Sequence, residues 1–236
     1  MLRIFIGYDP RQSVSYHVLE QSIITRSSTP VSITPLIIEQ LPITRQGLTP
    51  FTFSRFLIPW LCNYEGWALF LDADIIVQDD IQKLFDLADD QYAMMVSKNI
   101  DIHDGMSMRF EWASVMLFNC GHETNKCLTP AFIQTADRLH TLNWCSDKEI
   151  GDLPREWNVL VGYDPKRDDA KLIHYTQGIP CFPETLDSDY VEQWHKEHKL
   201  VNSVVPWVTL MGNSVHSKLM DGKVVPKYKK ECKDVA

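Results

Sequence analysis

The apolar positions of this chain fall into short continuous runs and longer stretches of helical spacing, and the two kinds alternate. Leu2 to Ile6 is an apolar run closed by Gly7, which predicts a buried strand and a turn. Between Ser13 and Arg26, Val14, His17, Val18, Gln21 and Ile24 recur at helical spacing. Val31 to Ile38 is β-branched and predicts a second strand, with Pro35 favouring an edge position. Phe53, Phe56, Leu57, Trp60 and Leu61 return to the helical period. Strand, helix, strand, helix points to an α/β domain with a mostly parallel sheet and helices on both faces.

The stretch WALFLDADIIV, residues 67–77, begins continuously apolar, as a central parallel strand buried on both faces should. It then presents Asp72 and Asp74 where the strand must end. Asp79 and Asp80 are expected to cap a helix running through Leu84 to Leu87. Tyr92 to Val96 and Ser114 to Phe118 predict further strands. Thr129 to Leu142 predicts a helix with Pro130 in its first turn. Leu172 to His174 predicts a short late strand, and Tyr190 to Leu200 a terminal helix. No repeat, low-complexity tract or linker interrupts the pattern. A single domain over residues 1–236 is expected, with a core over 1–185 and a helical, basic appendage over 186–236.

Charge narrows the partners. Asp and Glu number 31 against 23 Lys and Arg, a net charge of −8, so a nucleic acid polyanion is not expected as a partner. A small anionic ligand would need a local positive element: an arginine, a helix N-terminus or a metal ion. The lysines gather after Lys218, a solvated end or a place for peripheral contact with an anionic surface. None of the six cysteines forms a CxxC pair, which suits neither a zinc site nor a disulfide framework. No apolar stretch approaches the roughly 20 residues of a membrane span. The N-terminal MLRIFIGYDP also lacks a signal-peptide pattern, so a cytoplasmic protein is expected.

In open parallel α/β sheets, ligands bind beyond the carboxyl ends of the strands. Asp72 and Asp74 sit at such an end, and as the chain turns both can reach one hard cation such as Mg²⁺ or Mn²⁺. The alternative is an acidic strand end that caps the next helix. His174 ends the late apolar run, where histidine is either a ligand or a hydrogen-bonded core residue.

The segments FSRFLIPWL and WALFLDADIIVQDDIQKLFDL resemble the GT-A-fold glycosyltransferases with an Asp-x-Asp motif, most closely the retaining family 8. SVMLFN, DKEIGDLPREWN and LIHYTQGIPCF resemble later segments of that family in the same order, so matching elements span about residues 2 to 183. The resemblance implies a single Rossmann-like GT-A domain and transfer of a sugar from a nucleotide-sugar, with a UDP-sugar as the expected donor. It implies retention and a glycan, lipid-linked or protein acceptor. It implies Mn²⁺, with Mg²⁺ as the alternative, held by Asp72, Asp74 and His174. Imidazole beside two carboxylates also shifts preference toward Mn²⁺.

The resemblance further places Gly7, Tyr8 and Asp9 at the nucleoside, with turn chemistry as the other reading of Gly7 and Asp9. Arg55 would reach the donor or form a salt bridge. Asp147 and Glu149 would stand near the anomeric carbon as catalytic carboxylates, or lie on an exposed acidic loop. Ser114, Asn158 and Gly178 complete the expected donor-binding set.

Two departures matter. Trp112-Ala113-Ser114 replaces the family's Asn-Ala-Gly, so Trp112 is expected to reshape the sugar pocket. Ile179-Pro180-Cys181 stands where the family has a diphosphate-binding lysine, a role Lys218 or Lys223 would have to take. Two rival readings are a haloacid-dehalogenase-like phosphohydrolase and a sugar- or nucleotide-binding module without turnover. The first normally carries its Asp-x-Asp after the first strand, not after about 70 residues as here.

Overall fold

The computed structural model describes residues 1–98, 109 and 111–214. The lysine-rich end from Lys218 and Cys232 lie outside the described residues. Met1–Val201 forms one compact unit and Asn202–Ala236 a second.

In the first unit the alternation is realised as β1 (Leu2–Gly7), α1 (Ser13–Ile24), β2 (Val31–Leu36), α2 (Ile58–Leu61) and β3 (Trp67–Leu71). After the Asp-x-Asp turn come β4 (Ile75–Val77), α3 (Gln82–Phe85), β5 (Met94–Val96), β6 (Val115–Asn119) and α4 (Pro130–Thr135). The unit closes with β7 (Ile150–Asp152), β8 (Val159–Leu160), β9 (Leu172–His174) and α5 (Val191–Val201). In the second unit α6 spans Trp207–Met211, with Trp207 and Leu210 exposed.

The main sheet has the order β2-β1-β3-β6-β5-β7. The β2–β1, β1–β3 and β5–β7 pairs are parallel, while β6 runs antiparallel to both β3 and β5. Pro35 does lie on an edge strand, where its missing N–H costs no ladder bond. Strand β3 is apolar throughout because both its faces are covered. Ala68 and Phe70 pack with Phe56 and Leu57 on one side, and Leu69 and Leu71 with Leu19 and Ile23 of α1 on the other.

Two expected helices are cut short. The Asp80 carboxylate does accept from Gln82 N at 3.0 Å, but α3 ends at Phe85. The Thr129 hydroxyl caps α4 by accepting from Phe132 N at 3.2 Å, and Pro130 opens the helix as expected. The helix then stops at Thr135, because Ala136 is extended and Arg138 takes a left-handed φ of 55°. Tertiary packing outweighs helical spacing here. The break turns His140 edge-on against Phe53 and Phe56, with ring centroids 5.6 and 5.2 Å away.

A second sheet, β4-β9-β8, was not visible as a unit in the sequence. It begins where the main sheet ends: β3 stops at Leu71 and β4 starts at Ile75. The turn between them is clamped on both sides. Asp72 N donates to Ser114 O at 3.0 Å, and Tyr175 N donates to Asp74 O at 2.9 Å. Helix α5 belongs to the first unit and packs on α1.

Among the described residues, Cys62, Cys120, Cys127, Cys145 and Cys181 are free thiols. No described helix is long and apolar enough to cross a membrane.

Candidate active site

Strand register creates the site. β4 and β9 pair antiparallel with Ile75 opposite His174, which sets the His174 ring beside Asp74, one residue before Ile75. His174 Nε2 lies 3.3 Å from Asp74 Oδ1, and one donor atom from each of Asp72, Asp74 and His174 lies within 4.8 Å of the others. Two carboxylates and an imidazole at that spacing can hold a divalent cation and leave positions for other oxygen ligands.

The neighbouring groups fit that use. Asp72 is buried beside Arg55, with Nη2 2.9 Å from Oδ1 and Nη1 3.2 Å from Oδ2. Arg55 also donates to Ala113 O at 2.8 Å and lies over the Phe70 ring. Asp72 Oδ1 meets Arg55 as an ion pair but makes no well-directed hydrogen bond, so it keeps acceptor capacity that a cation would satisfy. Burial pushes the Asp72 carboxyl up to about 7. Arg55 opposes that rise, and the nearby Asp74 charge adds to it. For His174, burial works against the charged ring, but Asp74, Glu111 and Asp72 outweigh it and raise the imidazole to about 9. Binding of a cation here would displace whatever proton either group carries.

A hydrogen-bonded chain fixes the histidine. Asn158 donates through Nδ2 to Ser114 Oγ at 3.1 Å and to Glu111 O at 3.3 Å. Its Oδ1 therefore faces His174 Nδ1, 3.3 Å away. Only an Nδ1–H satisfies that oxygen, so Nε2 is the nitrogen that faces the carboxylates, donating to Asp74 in the protonated ring and free to hold an ion once that proton is lost. Asn158 thus stands behind the ligand rather than beside it. Asn158→Ala is expected to weaken Mn²⁺ binding by about 10- to 100-fold in a calorimetric titration of the folded variant. Unchanged affinity would show that the ring is held by packing alone.

Two cavities meet at Asp74 of the triad, sharing Thr49, Phe51 and Asp74 in their walls. The larger, about 420 Å³, is lined by Arg55, Asp72, Arg109, Glu111, Ser114, His140 and Thr141 among others. The smaller, about 60 Å³, is bounded by Asp9, Gln12 and Ser15. The Asp9 carboxylate is tied to Arg11 Nη2 at 2.6 Å, which holds it well below the usual carboxylate range. Gly7 packs against Phe51, where an added Cβ would come within 2.3 Å of the ring. Tyr8 contacts Tyr16 edge-on, with ring centroids 5.7 Å apart.

The structure thus brings Asp72, Asp74, His174, Arg55, Ser114 and Asn158 into one cluster, with Asp9 in the adjoining lobe. Gly7 and Tyr8 adjoin that lobe, whereas Gly178, Asp147 and Glu149 line neither cavity. Gly178 occupies a turn at φ 117° against Phe182. Trp112 packs against the apolar core beneath the Arg109 guanidinium, so Glu111 is its segment's larger side chain in the cavity wall.

Asp147 and Glu149 lie outside both cavity walls. The Asp147 side chain is 82% exposed and pairs with Arg109. The Glu149 carboxylate closes a capping box with Ser146, accepting from its hydroxyl at 2.6 Å and its N–H at 3.0 Å, and it also accepts from Thr124 Oγ1. These bonds hold Glu149 down to about 2. A depressed carboxyl contributes its stability above its unfolded value, near 4.5, and loses it as pH falls through about 2. Glu149→Ala is therefore expected to cost about 1 kcal/mol at pH 7 in urea unfolding. The gap to wild type should close as the pH drops below 4.5; a pH-independent gap would mean that the charge contributes nothing.

Glu111, His140 and Ser15 line the cavities although no motif or spacing in the sequence singles them out. His140 is neutral at physiological pH: burial, then the Arg55 charge, lowers it to about 4. Its place in the cavity wall depends on the helix break after Thr135, which no local pattern announced.

Comparison with known proteins agrees with this geometry. The sequence model described as glycosyl transferase family 8 matches residues 10–179. Protein CDI of Arabidopsis thaliana is 40% identical over 228 aligned residues, covering 85% of this chain and 87% of that protein. Among solved structures, the bifunctional glycosyltransferase WbbM superposes with a TM-score of 0.66 at 17% identity, over 89% of this chain and 50% of its own. The galactosyltransferase LgtC, in complex with donor and acceptor sugar analogs, superposes with a TM-score of 0.57 at 13% identity, over 88% of this chain and 99% of its own. The chain spans half the length of WbbM. A family match over residues 10–179 decides against the phosphohydrolase reading: the chain belongs to glycosyl transferase family 8 and is a glycosyltransferase of GT-A fold.

Proposed function

We propose that this glycosyltransferase moves a hexosyl unit from a UDP-sugar to a glycan, lipid-linked or protein acceptor, with retention, using Mn²⁺. The observation that carries this reading is the Asp72–Asp74–His174 triad, whose Asp74 stands where the two cavities meet. A diphosphate at the triad would direct its nucleoside toward the small lobe and its sugar into the large one. The small lobe offers Asp9, Gln12 and Ser15 to ribose or base, with Gly7 and Tyr8 on the strand end beside it. The large lobe has room for a hexose and an approaching acceptor hydroxyl.

The chemistry a bound divalent ion supplies is charge neutralisation on the leaving diphosphate as the glycosidic bond breaks. In this chain Arg55 keeps Asp72 in place for that ion, while Asn158 and Ser114 keep His174 turned toward it. Asp147 and Glu149 retain a proposed catalytic role only if the loop that carries them approaches the sugar during turnover. Retention and the UDP moiety rest on the family resemblance.

The test is a thermal-shift screen of UDP, GDP, CMP and ADP, each with and without Mn²⁺. A ligand at about 100 times its Kd stabilises by about 2.7 kcal/mol. A shift that needs UDP and Mn²⁺ together is the expected result. No shift with any pair would overturn the donor-site reading. Release of UDP from a UDP-sugar then separates an enzyme from a module that only binds.

A further inference from the structure

One acidic side chain of the large cavity has no part in the triad. Glu111 lies in the cavity wall with Asp72, Asp74, Arg55, Arg109 and His140, yet among the described residues it is not part of the metal-ligand set formed by the triad. Its backbone takes a left-handed φ of 57°, uncommon for a residue other than Gly, Asn or Asp. Three hydrogen bonds to its carbonyl hold it there: from Ser114 N at 3.3 Å, Ser114 Oγ at 2.6 Å and Asn158 Nδ2 at 3.3 Å. The chain that orients His174 therefore also fixes the residue from which the Glu111 side chain leaves. Among the described residues no hydrogen bond or ion pair takes up the Glu111 carboxylate.

The cations of the cavity wall are engaged elsewhere. Arg55 serves Asp72 and Ala113 O, and Arg109 serves Asp147 and Thr141 O. His140 is neutral at physiological pH. Among the described residues, the uncommitted charge in the large lobe is thus negative, beside the site proposed for the diphosphate. A carboxylate only accepts hydrogen bonds, so its natural partners are hydroxyl groups, and a second carboxylate facing it is repelled.

We propose that Glu111 reads the donor sugar, accepting hydroxyl hydrogens of a neutral hexose and excluding sugars that carry a carboxylate. This rests on the reading of the cleft as a nucleotide-sugar site. Glu111 is a specificity-determining residue in this scheme and transfers no proton or electron.

The experiment is equilibrium binding by calorimetry in the presence of Mn²⁺. It compares UDP, UDP-glucose, UDP-galactose, UDP-glucuronic acid and UDP-galacturonic acid on the wild-type chain and on Glu111→Gln. The amide keeps the side chain's shape and leaves the carbonyl bonds in place. Wild type is expected to bind the better neutral sugar about 10-fold or more tightly than its uronic counterpart, the scale of a hydrogen bond to a charged group. Glu111→Gln should erase that preference, read as the ratio of neutral to uronic Kd within each protein, so that any common change in UDP affinity cancels. Equal wild-type affinity for neutral and acidic sugars, or a full preference kept in Glu111→Gln, would overturn the proposal alone. Failure of wild type to bind any of the five would overturn the UDP-sugar reading and this proposal with it.

Discussion

Asp74→Asn is expected to abolish Mn²⁺-dependent UDP binding and to lower UDP-sugar turnover by at least about 100-fold, while the fold survives. The margin follows from what the residue supplies. Loss of a group that merely orients a metal ligand costs about 10- to 100-fold in affinity or activity, and Asp74 is itself a ligand candidate. Its side chain is 32% exposed and its backbone carbonyl carries the bond from Tyr175 N, so the amide removes charge without opening the core. The same substitution removes the His174 imidazole's nearest carboxylate. The decisive comparison is the UDP-induced shift in Tm with and without Mn²⁺ in wild type and variant. A variant that still binds UDP only with Mn²⁺ and turns over at the wild-type rate would remove the triad from the mechanism.

The largest effect on stability is expected far from that site. Arg26 Nη2 reaches Glu197 Oε1 of α5 at 2.5 Å, and Glu197 is fully buried with its second oxygen unpartnered. Arg26→Ala leaves that carboxylate without its cation in an apolar setting. Breaking a buried pair from one side costs about 3–5 kcal/mol. The Arg26 side chain is itself 21% exposed, so water replaces part of the loss, and a cost of about 3 kcal/mol is expected. Urea unfolding measures it as a lower midpoint at unchanged slope. Adding Glu197→Gln should recover much of the deficit, because a buried amide costs less than a buried charge. A loss under about 1 kcal/mol would place the pair with ordinary surface bridges.

The fit between sequence and structure follows the range of the forces involved. The run from Trp67 to Leu71 was legible because a strand covered on both faces must be apolar at every position. The break at Asp72 was legible because neither of two near-adjacent carboxylates belongs inside such a strand. Leu172 to His174 was legible for the same reason, at the bounds the structure shows. The helix expected over Thr129 to Leu142 was not, because its spacing fits a helix while the contacts of His140 with Phe53 and Phe56 favour a turn. Strand β8 has two residues, too few for any periodicity to register.

What the sequence determined by itself was local: the α/β alternation, the strand that ends in Asp72 and Asp74, and a histidine at the end of a late strand. Tertiary structure decided how these meet. Pairing of β4 with β9 in the register Ile75 to His174 brings residues a hundred positions apart within ligand distance of one ion. Reversal of β6 beside β3 carries Ser114 to the Asp72 N–H and Glu111 into the cavity wall. The physical reason is that periodicity records only whether a side chain is buried. Which group it is buried against depends on strand order and register, and those are set by the packing of the whole sheet.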